Sequence, residues 1–118
     1  MNLTDNFTDH YGNKEFGESV GIGSQPALII IDLINAFTDP ESDLGADVSG
    51  VLDQTERLLE TFREHGLPRY FTTVAFDESC GDAGRFIEKV PALPHLQLGT
   101  DRLQVDANIA PTGGESTV

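Results

Sequence analysis

Ala27-Leu28-Ile29-Ile30-Ile31-Asp32-Leu33-Ile34-Asn35-Ala36-Phe37 is the stretch whose reading decides the fold of this 118-residue chain. Five apolar residues run without alternation into an aspartate, and Pro26 stands just ahead of them. A short run of this kind, rich in isoleucine, predicts a strand over residues 27–32 that is buried on both faces, as in a parallel sheet covered by helices. Open sheets of that type hold their ligands outside the carboxyl ends of the strands. Asp32, at the end of what reads as a central strand, is therefore a candidate general base. A turn former or helix cap is the competing reading of the same residue.

Downstream, residues 38–45 are dense in turn formers, and Asp47 is placed to cap a helix. Val48, Val51, Leu52, Leu58, Leu59 and Phe62 recur at helical spacing, with Thr55 completing the stripe. Asp53, Glu56, Arg57, Glu60, Arg63 and Glu64 form the solvated side. Arg63 and His65 suit the negative end of the helix dipole, and Gly66 is a ready C-cap. After Pro68, residues 70–76 are rich in aromatic and β-branched side chains and predict a second strand. Strand, helix and strand with short connections make a βαβ unit. From Asp77 to Gly114 the alternation lapses. One short helix is expected near residues 83–89, within a long excursion of the kind that covers a functional site. Residues 115–118 read as the beginning of a third strand.

Upstream, residues 1–25 are polar and glycine-rich, and predict an irregular arm. Gly21-Ile22-Gly23 is no dinucleotide loop, because that fingerprint follows a strand and here precedes one.

Twenty Asp and Glu oppose seven Lys and Arg, for a net charge of −13. Lys14 and Lys89 are the only lysines. Such a surface repels nucleic acid and anionic membranes, so neither is expected as a partner. High acidity with little lysine suits a salt-loving microbe, where self-repulsion is screened. No apolar run reaches the length of a membrane span and no charged-then-apolar leader is present, so a soluble, cytoplasmic protein is expected. One cysteine allows no internal disulfide. His10, His65 and His95 are dispersed, and no metal or cofactor is expected.

Three separated segments together resemble one family: residues 26–40 around Asp32, Gly81-Asp82-Ala83-Gly84-Arg85-Phe86-Ile87-Glu88-Lys89-Val90-Pro91, and Ile109-Ala110-Pro111-Thr112-Gly113-Gly114-Glu115. They are similar to the isochorismatase-like cysteine hydrolases, within that group most of all to the N-carbamoylsarcosine and maleamate amidases. The resemblance implies an α/β fold, a doubly wound three-layer α/β/α (Rossmann-like) parallel sheet, of which residues 26–118 would be an N-terminal portion truncated at the start of the third strand. It also implies a catalytic aspartate, lysine and cysteine that hydrolyse C–N bonds of small amide or ureido substrates through a thioester.

Asp32 matches the family's aspartate, and Asn35 and Phe37 would lie near the substrate. The family's lysine falls just beyond the position of Val118, and its cysteine much later, so the chain alone is expected to be inactive. Cys80 sits in the acidic loop 77–82, where the family has no nucleophile. Lys89 belongs to the short covering helix and reads as a surface or lid residue. The Asp-x-His metal motif of the nicotinamidase branch is replaced by Phe76-Asp77-Glu78-Ser79.

Two other classes compete: a non-catalytic binding or assembly module derived from the family, and a phosphoacceptor receiver. The second needs clustered acids at the first strand and another aspartate at the third, which this chain lacks. With one long helix and one short one to cover two apolar strands, the chain is expected to self-associate as a homo-oligomer, to pair with a complementing C-terminal fragment, or to fold poorly alone.

Overall fold

The computed structural model describes residues 21 and 23–118. Most of the arm expected over residues 1–25 lies outside the described residues. Three parallel strands form one sheet in the order β1 (Leu28–Ile30), β2 (Arg69–Phe71) and β3 (Ser116–Thr117). Leu28, Ile29 and Ile30 align with Arg69, Tyr70 and Phe71, and the last two of these align with Ser116 and Thr117. Among the described residues β1 is therefore an edge strand, and β2 is central. Both predicted strands are shorter than expected: β1 ends ahead of the bend at Asp32, and beyond Thr73 the second stretch leaves the sheet, so that Phe76 bridges to Gln97 instead.

Between β1 and β2 lies the predicted amphipathic helix, α2 (Ser49–Glu64). It follows a single turn, α1 (Asn35–Thr38), that the apolar pattern did not reveal. Asp47 accepts from the Ser49 amide at 3.1 Å, one residue earlier than a regular cap, and this bond holds its carboxyl below the ordinary range. At the other end Gly66 adopts φ +62°, and the Leu67 amide reaches back to the Phe62 carbonyl at 2.9 Å. That is the left-handed stop a glycine makes at least cost.

The α2 stripe is narrower than predicted. Leu52 and Leu59 are buried, whereas Val51 and Leu58 stay half-exposed. Three strands of two or three residues offer too small a floor for the whole face. Leu52 and Leu59 meet Ile30, Phe71 and Ile109 in one core.

The excursion builds a second core. Ala83, Leu93 and Leu96 close on Ile34 and Ala36 of the α1 segment, with Phe37, Val74 and Phe76 packed around them. The expected helix over 83–89 splits in two, a 3-10 turn at Gly81–Ala83 and α3 (Phe86–Lys89). Gly84, at φ +57°, interrupts it. Among the described residues, no helix is long and apolar enough to cross a membrane.

Candidate active site at the end of the first strand

Two residues past β1 the chain reverses at Asp32, which takes φ +54°. A side chain rarely accepts that conformation, and aspartate is among the few that do. Thr72, one residue past β2, holds it there. Its hydroxyl donates to Asp32 Oδ1 at 2.6 Å and accepts from the Asp32 amide at 3.0 Å. The hydroxyl thus bridges backbone and carboxylate of one residue, and Asp32 is fixed at the C-terminal end of the sheet, partly buried. Among the described residues, no hydrogen-bond partner reaches the other carboxylate oxygen.

The excursion fastens the segment that follows. Asn35 N–H donates to the Gln104 carbonyl, and Asp106 N–H to the Leu33 carbonyl. Thr38 Oγ1 donates to Asp106 Oδ2 at 2.7 Å.

Asn35 and Phe37, two residues and so about half a turn apart on α1, line different cavities. Asn35 donates its amide to the Asp101 carbonyl at 2.9 Å and lines a polar cavity of about 320 Å3 with Thr38, Arg102 and Asp106. Phe37 lines an apolar cavity of about 310 Å3 with Leu44, Val74, Phe76 and Leu93. Asp32 lines neither of these two. Neither of these two cavities is lined by all three sequence-predicted site residues.

The surroundings of Cys80 differ from those expected from sequence. The loop itself is polar: Asp77 Oδ1 accepts from the Ser79 hydroxyl at 2.7 Å, and this bond chiefly holds the Asp77 carboxyl below its ordinary range. Yet the loop turns Cys80, at φ +53°, inward against Ile34 and Leu96, where the thiol is buried. Lys89 is exposed on α3.

Two residues that position the site carried no signal of that role in the sequence. Thr72 reads as an ordinary strand former, although a hydroxyl just beyond an apolar strand is the one cue available. Glu115 reads as the start of β3. In the structure its side chain is 3% exposed and clamped by two arginines. Arg63 reaches it at 2.8 and 2.9 Å from the end of α2, and Arg69 at 2.6 Å from β2. Arg63, helped by the Thr112 amide and Arg69, draws the Glu115 carboxyl down to about 2 despite burial. This clamp anchors the turn that delivers β3 to the sheet.

Parallel strands, a crossover helix on one face and a fixed carboxylate at the strand ends define an α/β protein with a candidate site at the carboxyl edge of the sheet. The isochorismatase domain model matches residues 26–118, and the chain belongs to that family. It is 32% identical to the N-carbamoylsarcosine amidase of an Arthrobacter species, over 94% of this chain and 44% of that protein. With the maleamate amidohydrolase of Pseudomonas putida it shares 28% identity, over 85% of this chain and 48% of the relative. The chain thus spans about half the length of the curated relatives it matches.

Solved structures agree on the fold. The N-carbamoylsarcosine amidase of Thermoplasma acidophilum superposes with a TM-score of 0.63 at 23% identity, over 80% of this chain and 50% of that one. An isochorismatase family protein from Desulfovibrio vulgaris gives 0.67 at 24% identity, over 77% and 50%.

Proposed function

We propose that these residues are the N-terminal part of a cysteine amidohydrolase that cleaves C–N bonds of small amide or ureido compounds. The observation that carries this reading is Asp32, fixed by Thr72 at the carboxyl end of a parallel strand, within the stretch matched to the family. In the proposed mechanism Asp32 accepts the proton of a cysteine thiol supplied by chain outside these 118 residues. The thiolate attacks the substrate carbonyl carbon, and the C–N bond breaks as the leaving amine takes that proton from Asp32. The thioester so formed is released by water, which regenerates the thiol. A lysine, also from outside, would stabilise the charged forms of both partners.

Phe37 would give the substrate an apolar wall, and the Asn35 side chain would hold the excursion over the site. The acidic surface suits a salt-rich cytoplasm.

Purified chain should release no ammonia from N-carbamoylsarcosine or maleamate. Hydrolysis by the chain alone, abolished by Cys80→Ser, would overturn the reading. A second reading, a non-catalytic assembly module, draws support from the burial of Cys80. It predicts no activity even after the rest of a family domain is supplied.

A further inference from the structure

Parallel strands carry all their amino ends to one edge of a sheet. Arg69 and Ser116, the first residues of β2 and β3, stand there, opposite the edge that holds Asp32. A cavity of about 350 Å3 opens beside them, lined by Arg69, Glu115 and Ser116 together with Gly66, Tyr70 and Gly114. The two glycines leave the space unfilled, since nothing lies within 4 Å of either Cβ position.

Charge sets this cavity apart. Seven Lys and Arg serve a chain of net charge −13, yet two of them meet at one carboxylate. Arg63 alone grips both oxygens of Glu115, through Nε and Nη2. The Thr112 amide also reaches Oε2, and Arg69 Nε reaches Oε1. A carboxylate offers about four acceptor positions, so these four bonds saturate it. Glu115 thus has nothing more to give Arg69. Arg69 Nη1 donates to the Leu67 carbonyl, and among the described residues Nη2 has no partner. Neither has the Ser116 hydroxyl, which belongs to the same cavity lining.

Two guanidiniums against one carboxylate leave a positive excess. Glu60, three residues before Arg63 on α2, acts on the Arg63 guanidinium and offsets part of its charge. The excess therefore falls on Arg69, where the cavity lies. The protein's overall negative field repels anions from afar, but salt screens it beyond about 8 Å at physiological ionic strength. At contact distance the local pair decides.

We propose that this cavity binds a small oxyanion, a carboxylate or phosphate group held by Arg69 Nη2 and the Ser116 hydroxyl. Guanidinium donors are planar and charge-assisted, which suits both groups, and the volume admits further atoms of a small ligand beyond the anionic one. The site lies across the sheet from Asp32 and needs nothing from the amidase reading.

The test titrates the purified, 15N-labelled chain with sodium phosphate and separately with sodium acetate, against sodium chloride at equal ionic strength. The Arg69 Nε–H signal and the Gly66, Gly114 and Ser116 amides should shift together and saturate, with half-occupancy at roughly 1 mM. Saturation by phosphate alone or by acetate alone supports the proposal equally and names the source of the ligand group. Arg85, exposed and paired only with Glu88 among the described residues, is the internal control and should not saturate. Ser116→Glu places a carboxylate at the cavity without touching the clamp, and should weaken binding by more than about tenfold. Its thermal melt should match that of the native chain, because Ser116 is exposed. Ser116→Thr keeps the hydroxyl and should bind as the native chain does. Shifts that rise linearly with all three salts, or that are as large at Arg85, would show mere screening of charge and overturn the proposal. So would undiminished binding by Ser116→Glu. The native titration decides by itself should either variant melt early.

Discussion

Thr72 and Asp32, forty residues apart in sequence, are joined by one hydroxyl that donates to the carboxylate and accepts from the amide. The link holds an aspartate at positive φ and ties the ends of two adjacent strands. Thr72→Val removes both bonds and leaves a partly buried amide without its partner. It should cost about 1–2 kcal/mol in denaturant melts. Thr72→Ser should retain most of the stability, because the hydroxyl remains. Equal losses in the two variants would show that methyl packing, rather than the bridge, holds this turn.

Stability should fall in acid through Glu115. Its carboxyl lies at about 2, below the ordinary 4.5, so the folded state binds its proton more weakly than the unfolded chain does. The stabilisation is therefore complete above about pH 4.5 and is lost as pH falls towards 2. The clamp contributes on the order of 2–3 kcal/mol on this linkage. Thermal melts from pH 7 to 2 should show the fall, and Glu115→Gln should remove the part of it that this residue causes.

Gly45 stands where an added Cβ would overlap the Asp39 carbonyl group. Gly45→Ala should force the turn after α1 open and cost about 1–3 kcal/mol. Gly50→Ala serves as the control, since nothing lies within 4 Å of its Cβ position on α2. It should be neutral or stabilising in the same melts.

Cys80 should react slowly. Its thiol is buried between the loop and the second core, so a thiol reagent should modify it only on unfolding. The labelling rate should then rise in parallel with the unfolded fraction across a urea titration. Stoichiometric labelling in native buffer within seconds would contradict the packing described above.

Molar salt should raise the melting temperature by screening the net charge of −13, and should strengthen association through the exposed isoleucines. Light scattering at low and high salt reads both. A monomer at every salt concentration would mean that these isoleucines do not drive association by themselves.

The long-period features of this fold were legible because each depends on local pattern. The unalternated Leu28–Ile30 run and the stripe through Leu52 and Leu59 announce a strand and a helix wherever they pack. The α1 turn was not legible, since four residues cannot be periodic; the carbonyl of Gln104 and the carboxylate of Asp106 hold it from across the excursion. At the site, Asp32 stood out because a carboxylate interrupts an apolar run. Thr72 did not, because threonine is unremarkable beside a strand. Asn35 and Phe37 both read as neighbours of Asp32 along the chain, and about half a turn of helix gives each its own cavity.

The Glu115 clamp also has a kinetic side. Arg63 and Arg69 are brought together by the βαβ unit, whereas Glu115 lies 52 and 46 positions further along. Closing so long a loop costs entropy that only the assembled pair of arginines can offset. Nucleation therefore falls to β1, α2 and β2, and the third strand zips on afterwards. Mutations at Glu115 should accelerate unfolding while leaving the folding rate almost untouched, the signature of a contact made after the barrier has been crossed.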